Sequence, residues 1–399
     1  MEVNKRIPSP SFYLFSVDLL KGIGIILMII THGMIWYDYQ AVLTWDQGGV
    51  SLIWFFVVLI GLFLTFPLFL FVNGFNQINS FLRYSNSEKH GLARDRALKR
   101  GFIFLVIASL AQIVVAISYN PSNVLNYVLT WNFFHLFFFS SIFFLALFEL
   151  VWKLERRGYN RQSFTIGILL ASTLTLIGLF LLFHDYTVSR EIPEYVDLTI
   201  PSILGYALID FGTTPIFPWF SFSLVGALMA SILEIIYLKP REKIYLRTLI
   251  LLMLSIGFLC LGLWLLGTER IISTPMHFPA SSSYVLTSLG VLILISLVFL
   301  FSFDTPTLFD SVTRYPRGKT LLTPIATLGK ISLTIFFLHN LLFFIPPTFL
   351  PSEAWFFSLI TLYSVLYILL SLIWEKRRFK YSLEWGIRKL SSINLRRHT

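Results

Sequence analysis

The sequence predicts an all-α polytopic integral membrane protein of about ten transmembrane helices, with both termini cytoplasmic. Three observations carry that prediction. Of the 399 residues 56% are hydrophobic and only 13% charged, with 41 Phe and a mean hydropathy of +0.75, whereas soluble domains run at about 25% charged. Apolar runs of the order of twenty residues, the length a helix needs to cross the hydrocarbon layer, recur along the whole chain. The basic residues gather in alternate connections, as they do when cytoplasmic loops collect Lys and Arg.

The first run, near 14–35, follows Lys5 and Arg6 with no small-residue cleavage site before it, so it is expected to stay on the protein. The second, 52–72, returns to an inner segment, 83–100, that holds six basic residues. The third and fourth, 101–118 and 131–151, lead to four more at 153–161. After the fifth, 164–183, comes the longest outer connection, 184–214, too short to fold alone. The sixth, 215–237, ends at four basic residues in 239–247; the seventh and eighth, 247–267 and 284–303, end at four in 314–330. The ninth and tenth, 325–346 and 354–374, lead to a tail with eight. These inner segments hold 28 of the 31 Lys and Arg; Arg190 and Arg270 lie outside and Lys21 lies within a span. The net charge of +10 therefore reports topology first, not a nucleic-acid partner.

No internal repeat, low-complexity stretch or soluble segment divides the chain, so residues 1–399 read as a single domain. Cys260 is the only cysteine, which excludes an intrachain disulfide and a cysteine metal cluster. The chain has no N-x-[ST] sequon, which fits a prokaryotic cell-membrane protein. Oligomeric state is left open, a homo-oligomer included.

An ionisable residue inside a span is costly and is read first as functional. The first run holds three: Asp18, Lys21 and His32. Asp18 and Lys21 are i, i+3 neighbours, and His32, fourteen residues after Asp18, returns to nearly the same helix face about 21 Å along the axis. The pair then stands near the inner boundary and His32 in the outer part of the layer. The blander alternative is an orienting ion pair and a hydrogen-bonded structural histidine. Four other histidines also fall toward the outside: His135, His184, His277 and His339. An imidazole can take a proton from a hydroxyl or ammonium group and return it. No metal-ligand spacing occurs, so no metal is expected. Trp36 and Trp219 read either as part of an interfacial aromatic belt or as stacking surfaces for a sugar ring. The basic stretch containing Arg94, Arg96, Lys99 and Arg100 could hold the phosphates of a nucleotide-like cofactor at the inner mouth of a pocket.

Several stretches resemble, in matching order, the transmembrane acyltransferases, in particular enzymes like the catalytic domain of heparan-α-glucosaminide N-acetyltransferase. "SVDLLKGIGIILMIITH" is similar to the opening helix of that family, and "LTFPLFLFVNGFNQINSFLR", with Phe66, Pro67 and Gly74, to its Phe-Pro helix. "ALKRGFIFLVIASLAQ", "PIFPWFSFSLVGALMAS", "SSSYVLTSLG" and "ISLTIFFLHN" are similar to its later helices. Lys21 stands where arginine is usual, and His32 where the heparan enzymes have Asn. A first-helix histidine is more like the sister enzymes that modify bacterial surface glycans.

The resemblance implies that acetyl-CoA, or another acyl-CoA, donates from the cytoplasm to an amine or hydroxyl of a glycan or glycolipid outside the bilayer. On that reading His32 is the general base, and Lys21 with Arg94, Arg96, Lys99 and Arg100 meets the CoA phosphates. Asp18 pairs with Lys21 or an arginine. His339 orients the acceptor or holds the developing oxyanion. Trp36, His135, Asp210 and Trp219 are the acceptor-side candidates, with Asp210 a partner for an outer histidine. The rival reading is a proton-coupled secondary transporter or flippase, in which intramembrane His and Asp relay protons.

Overall fold

A computed structural model describes residues 14–36, 52–83, 90–119, 133–188, 216–238, 244–268, 281–304, 317–339 and 353–392. The described residues form twelve α-helices: α1 Phe15–Trp36, α2 Leu52–Arg83, α3 His90–Tyr119, α4 Phe133–Arg156, α5 Arg161–Val188, α6 Ile216–Leu238, α7 Ile244–Thr268, α8 Ser282–Phe299, α9 Arg317–Lys330, α10 Ser332–Leu338, α11 Glu353–Lys376 and α12 Leu383–Ser392. No strand occurs among the described residues. Each of the ten expected apolar runs coincides with a helix, the ninth with the pair α9–α10. Six of the described helices are long and apolar enough to cross a membrane, and α9–α10, bent by 76°, makes a seventh if it counts as one span. The protein is thus an all-helical membrane protein in which six or seven spans are evident among the described residues, against the ten expected.

Hydrocarbon gives helices little hydrophobic reason to associate, so close van der Waals contact across small residues becomes important. Gly22 of α1 lies against the Ile325 carbonyl, and Gly329 of α9 against the Asp18 carbonyl; a Cβ at either would overlap the facing backbone. The two glycines press α1 and α9 together, which matters because both lead to the site. Gly74 and Gly226 join α2 to α6 in the same reciprocal way, reinforced by Ser223 Oγ donating to the Leu70 carbonyl at 3.0 Å. Around these crossings the core is rich in phenylalanine, with Phe71, Phe144 and Phe222 almost fully buried.

Helix ends inside the protein need partners for their unpaired backbone groups. The α1 start is capped by Asp304, at the end of a π-helical turn, Leu300–Asp304, that continues α8: its two carboxylate oxygens accept from the Phe15 and Ser16 amides, each at 3.0 Å. After α11 the chain reverses through Arg378, Phe379 and Tyr381, all at positive φ between 53° and 69°. Non-glycine residues rarely adopt this region, and several in succession persist only where surrounding contacts fix them. Here the Trp374 carbonyl accepts from the Phe379 amide at 2.9 Å, while the Trp374 indole donates to the Lys380 carbonyl at 2.7 Å. The reversal lays α12 against α3 and α10.

Candidate active site

The α1–α9 contact carries α10 to the carboxyl-terminal part of α1, where His32 and His339 meet although 307 residues separate them. Their rings are nearly parallel, 13° apart with centroids at 4.8 Å, and His32 Nδ1 is 2.8 Å from His339 Nε2. His339 is 1% exposed. Its Nδ1 contacts the Phe336 carbonyl one helical turn back. A carbonyl only accepts, so with neutral rings His339 Nδ1 carries the proton and Nε2 is an acceptor. His32 Nδ1 must then donate to it, and His32 Nε2 is the nitrogen with the lone pair. That tautomer follows from the hydrogen-bond order, as histidine tautomers generally must. In this arrangement both ring nitrogens of His339 have partners, Nδ1 the Phe336 carbonyl and Nε2 the His32 ring.

Toward the amino-terminal end of α1 lies a cavity of about 560 Å³, within the range that takes one small ligand or cofactor. Asp18 and Lys21 line it, paired at 2.5 Å, together with Arg100, Lys330 and Arg388. One face of α2 supplies Asn73, Asn76, Gln77 and Ser80, a spacing of three, four and seven that sets all four side by side. Asn73 and Gln77 also donate to Ser140 and Ser141 of α4, at 2.9 and 3.1 Å, which fixes their amides. Apolar lining comes from Phe69, Val72, Phe104, Phe137 and Phe336. His32 and His339 are not lining residues, but Phe336 is, and its ring stands edge-on to His339 with centroids 5.4 Å apart. The cavity that holds Lys21 and Arg100 thus stops short of His32, and Phe336 is the lining residue whose ring touches His339.

The break between α9 and α10 is what turns Phe336 and His339 inward, and it frees backbone donors at the start of α10. Glu384 of α12 meets them: Oε1 accepts from the Leu333 and Thr334 amides at 2.6 and 3.1 Å, and Oε2 from Thr334 Oγ1 at 2.5 Å. The Leu383 amide in turn donates to Thr334 Oγ1 at 2.8 Å. Lys330, the last residue of α9, pairs with Glu375 at 2.9 Å.

The other expected site residues are dispersed. Arg94, Arg96, Lys99 and Arg100 were expected in a loop, but α3 begins at His90 and carries all four. Arg94, Arg96 and Arg100 border a small pocket of about 30 Å³ that adjoins the large one, sharing Gln77, Ser80 and Arg100 with it; Lys99 lines neither. Arg94 lies 3.6 Å from Asp95. His135 is buried in the first turn of α4 and does not line the cavity. Trp219 is 2% exposed. Its ring packs against Phe66, edge-on at 4.5 Å, and against Phe222 and Tyr284. Trp36 ends α1. Asp210 and His277 lie outside the described residues, and His184, expected in an outer connection, falls in the last turns of α5. No group of three His, Cys, Asp or Glu suited to a metal occurs among the described residues.

Sequence reasoning missed Lys330, Glu384, Arg388 and the polar face of α2. The last was legible as spacing in "VNGFNQINS"; Lys330 and Arg388 entered only the topology count, and Glu384, being acidic, entered neither. Compared with known families, the chain matches a family model described as an acyltransferase domain, over residues 14–375. No curated protein matches it.

Proposed function

The chain belongs to the acyltransferase-domain family, and on that premise we propose that it carries an acyl group, acetyl in the simplest case, from cytoplasmic acyl-CoA to an amine or hydroxyl of a glycan or glycolipid on the far side of a prokaryotic cell membrane. The observation that carries this reading is the His32–His339 pair, joined through Phe336 to a cavity that holds Lys21 and Arg100. The apolar cavity wall suits the acyl-pantetheine arm, and the cations suit the phosphates, Arg100 by its planar fork and Lys21 as a point charge. Asp18 pairs with Lys21 beside them.

His32 Nε2 takes the proton of the acceptor as the acceptor attacks the thioester carbonyl. When the tetrahedral adduct collapses, the C–S bond breaks and the proton passes to the departing thiolate. His339 contributes by keeping the His32 proton on Nδ1, so that the lone pair always faces the acceptor side. Phe336 must swing aside for the thioester to arrive, and in its resting place it shields the imidazoles from water.

Purified protein supplied with labelled acetyl-CoA and amino-sugar acceptors tests the reading. Transfer should fall by about 10²–10⁴-fold in His32→Ala, the usual loss when a general base is removed. Undiminished transfer by that variant refutes the mechanism. Absence of transfer by the wild type, with pH-driven solute uptake in its place, would favour the transporter.

A further inference from the structure

The tail after α11 lies beyond the family match, yet it builds one wall of the cavity: Phe379, Glu384, Ile387 and Arg388 all line it. Its course is specified in detail. The three-residue left-handed reversal turns the chain back, the Trp374 contacts hold the reversal, and Glu384 clamps α12 to the start of α10. Among the cavity cations, Lys21 is paired with Asp18 and Lys330 with Glu375. Arg388 is different. Among the described residues its guanidinium pairs with no carboxylate, and its Nε donates to the Glu384 carbonyl at 3.3 Å, a bond within its own helix that fixes the side chain's direction. It is also solvent-exposed, as a residue at the cavity rim must be to meet a charged group arriving from water.

We propose that Arg388 is a donor-binding residue, taking a phosphate of the acyl-CoA together with Lys21 and Arg100, so that α12 completes the donor site. The inference rests on the acyltransferase reading above and adds to it a wall that the family match does not contain. A planar guanidinium held at the rim discriminates by charge: it favours a phosphorylated thioester donor over the same acyl-pantetheine arm without its nucleotide.

The test measures binding of CoA and of phosphate-free pantetheine to the full-length protein in neutral-lipid nanodiscs. Arg388→Ala should weaken CoA binding about tenfold, the usual effect of losing one charge-assisted hydrogen bond. Pantetheine affinity should stay within twofold. Lys389→Ala removes the same charge one residue along, at a position outside the cavity, and should leave CoA affinity within twofold. Unchanged CoA binding in Arg388→Ala, or equal losses in the two variants, overturns the proposal. An Arg388 effect on CoA that emerges only in anionic bilayers assigns the residue to lipid headgroups and overturns it too. If the wild type binds no CoA at all, the acyltransferase reading falls with it, whereas tight CoA binding with no response to Arg388→Ala removes this inference alone.

Discussion

A single backbone carbonyl, that of Phe336, decides which nitrogen of His32 is basic, because it fixes the proton of His339 and, through it, that of the neighbouring ring. His339→Gln should therefore lower kcat by about 10–100-fold while moving donor KM little, since the side chain acts on the base and not on the CoA site. Steady-state kinetics with acetyl-CoA varied would show it, and a change confined to KM would contradict the relay. Phe336→Trp should slow turnover while CoA still binds, because a larger ring obstructs the approach to the imidazoles. Direct binding measured beside turnover separates the two effects. Both histidines were legible in the sequence as polar groups within apolar runs. Their partnership was not: it depends on a helix break at Ile331 that Pro324 and Gly329 signal only weakly inside an apolar run, and periodicity on one helix says nothing about what a helix 307 residues away presents.

Between helices, the broken α9–α10 pair is held by contacts from elsewhere in the chain. Gly329 sets the approach of α9 to α1, and Glu384 supplies acceptors for the exposed amides of α10. Gly329→Val would drive a side chain into the Asp18 carbonyl and should cost about 1–3 kcal/mol, as overpacking does, seen as a lower midpoint in a thermal-aggregation assay. Glu384→Ala should cost about 1.5–3 kcal/mol, in the range of hydrogen bonds to a charged group, with Glu384→Gln losing less. Equal midpoints for wild type and Glu384→Ala would mean that the clamp does not hold α10. The ten apolar runs foretold where helices form, since twenty-residue hydropathy is a strong local signal. They did not foretell that α3 begins at His90, because a charged amphipathic turn emerging from a membrane reads as loop. Nor did they reveal α12, a ten-residue helix whose direction is set by a reversal built from residues that ordinarily avoid positive φ.

For the protein taken together, the alternation of basic segments predicts both ends on the cytoplasmic side. In a Cys260→Ser background, Ser392→Cys should react with a membrane-impermeant maleimide only after the cells are opened; labelling of intact cells would invert the topology. The same orientation would put the cavity lined by Lys21, Arg100 and Arg388 toward the cytoplasm, the side from which the proposed donor comes, and the two imidazoles deeper in the layer. The α12 wall has one more consequence, a genetic one. A stop codon after Lys376 would spare every apolar run, so the shortened product should still be inserted and should pass any inspection for membrane residence. Without Glu384 and Arg388 it should nevertheless be inert.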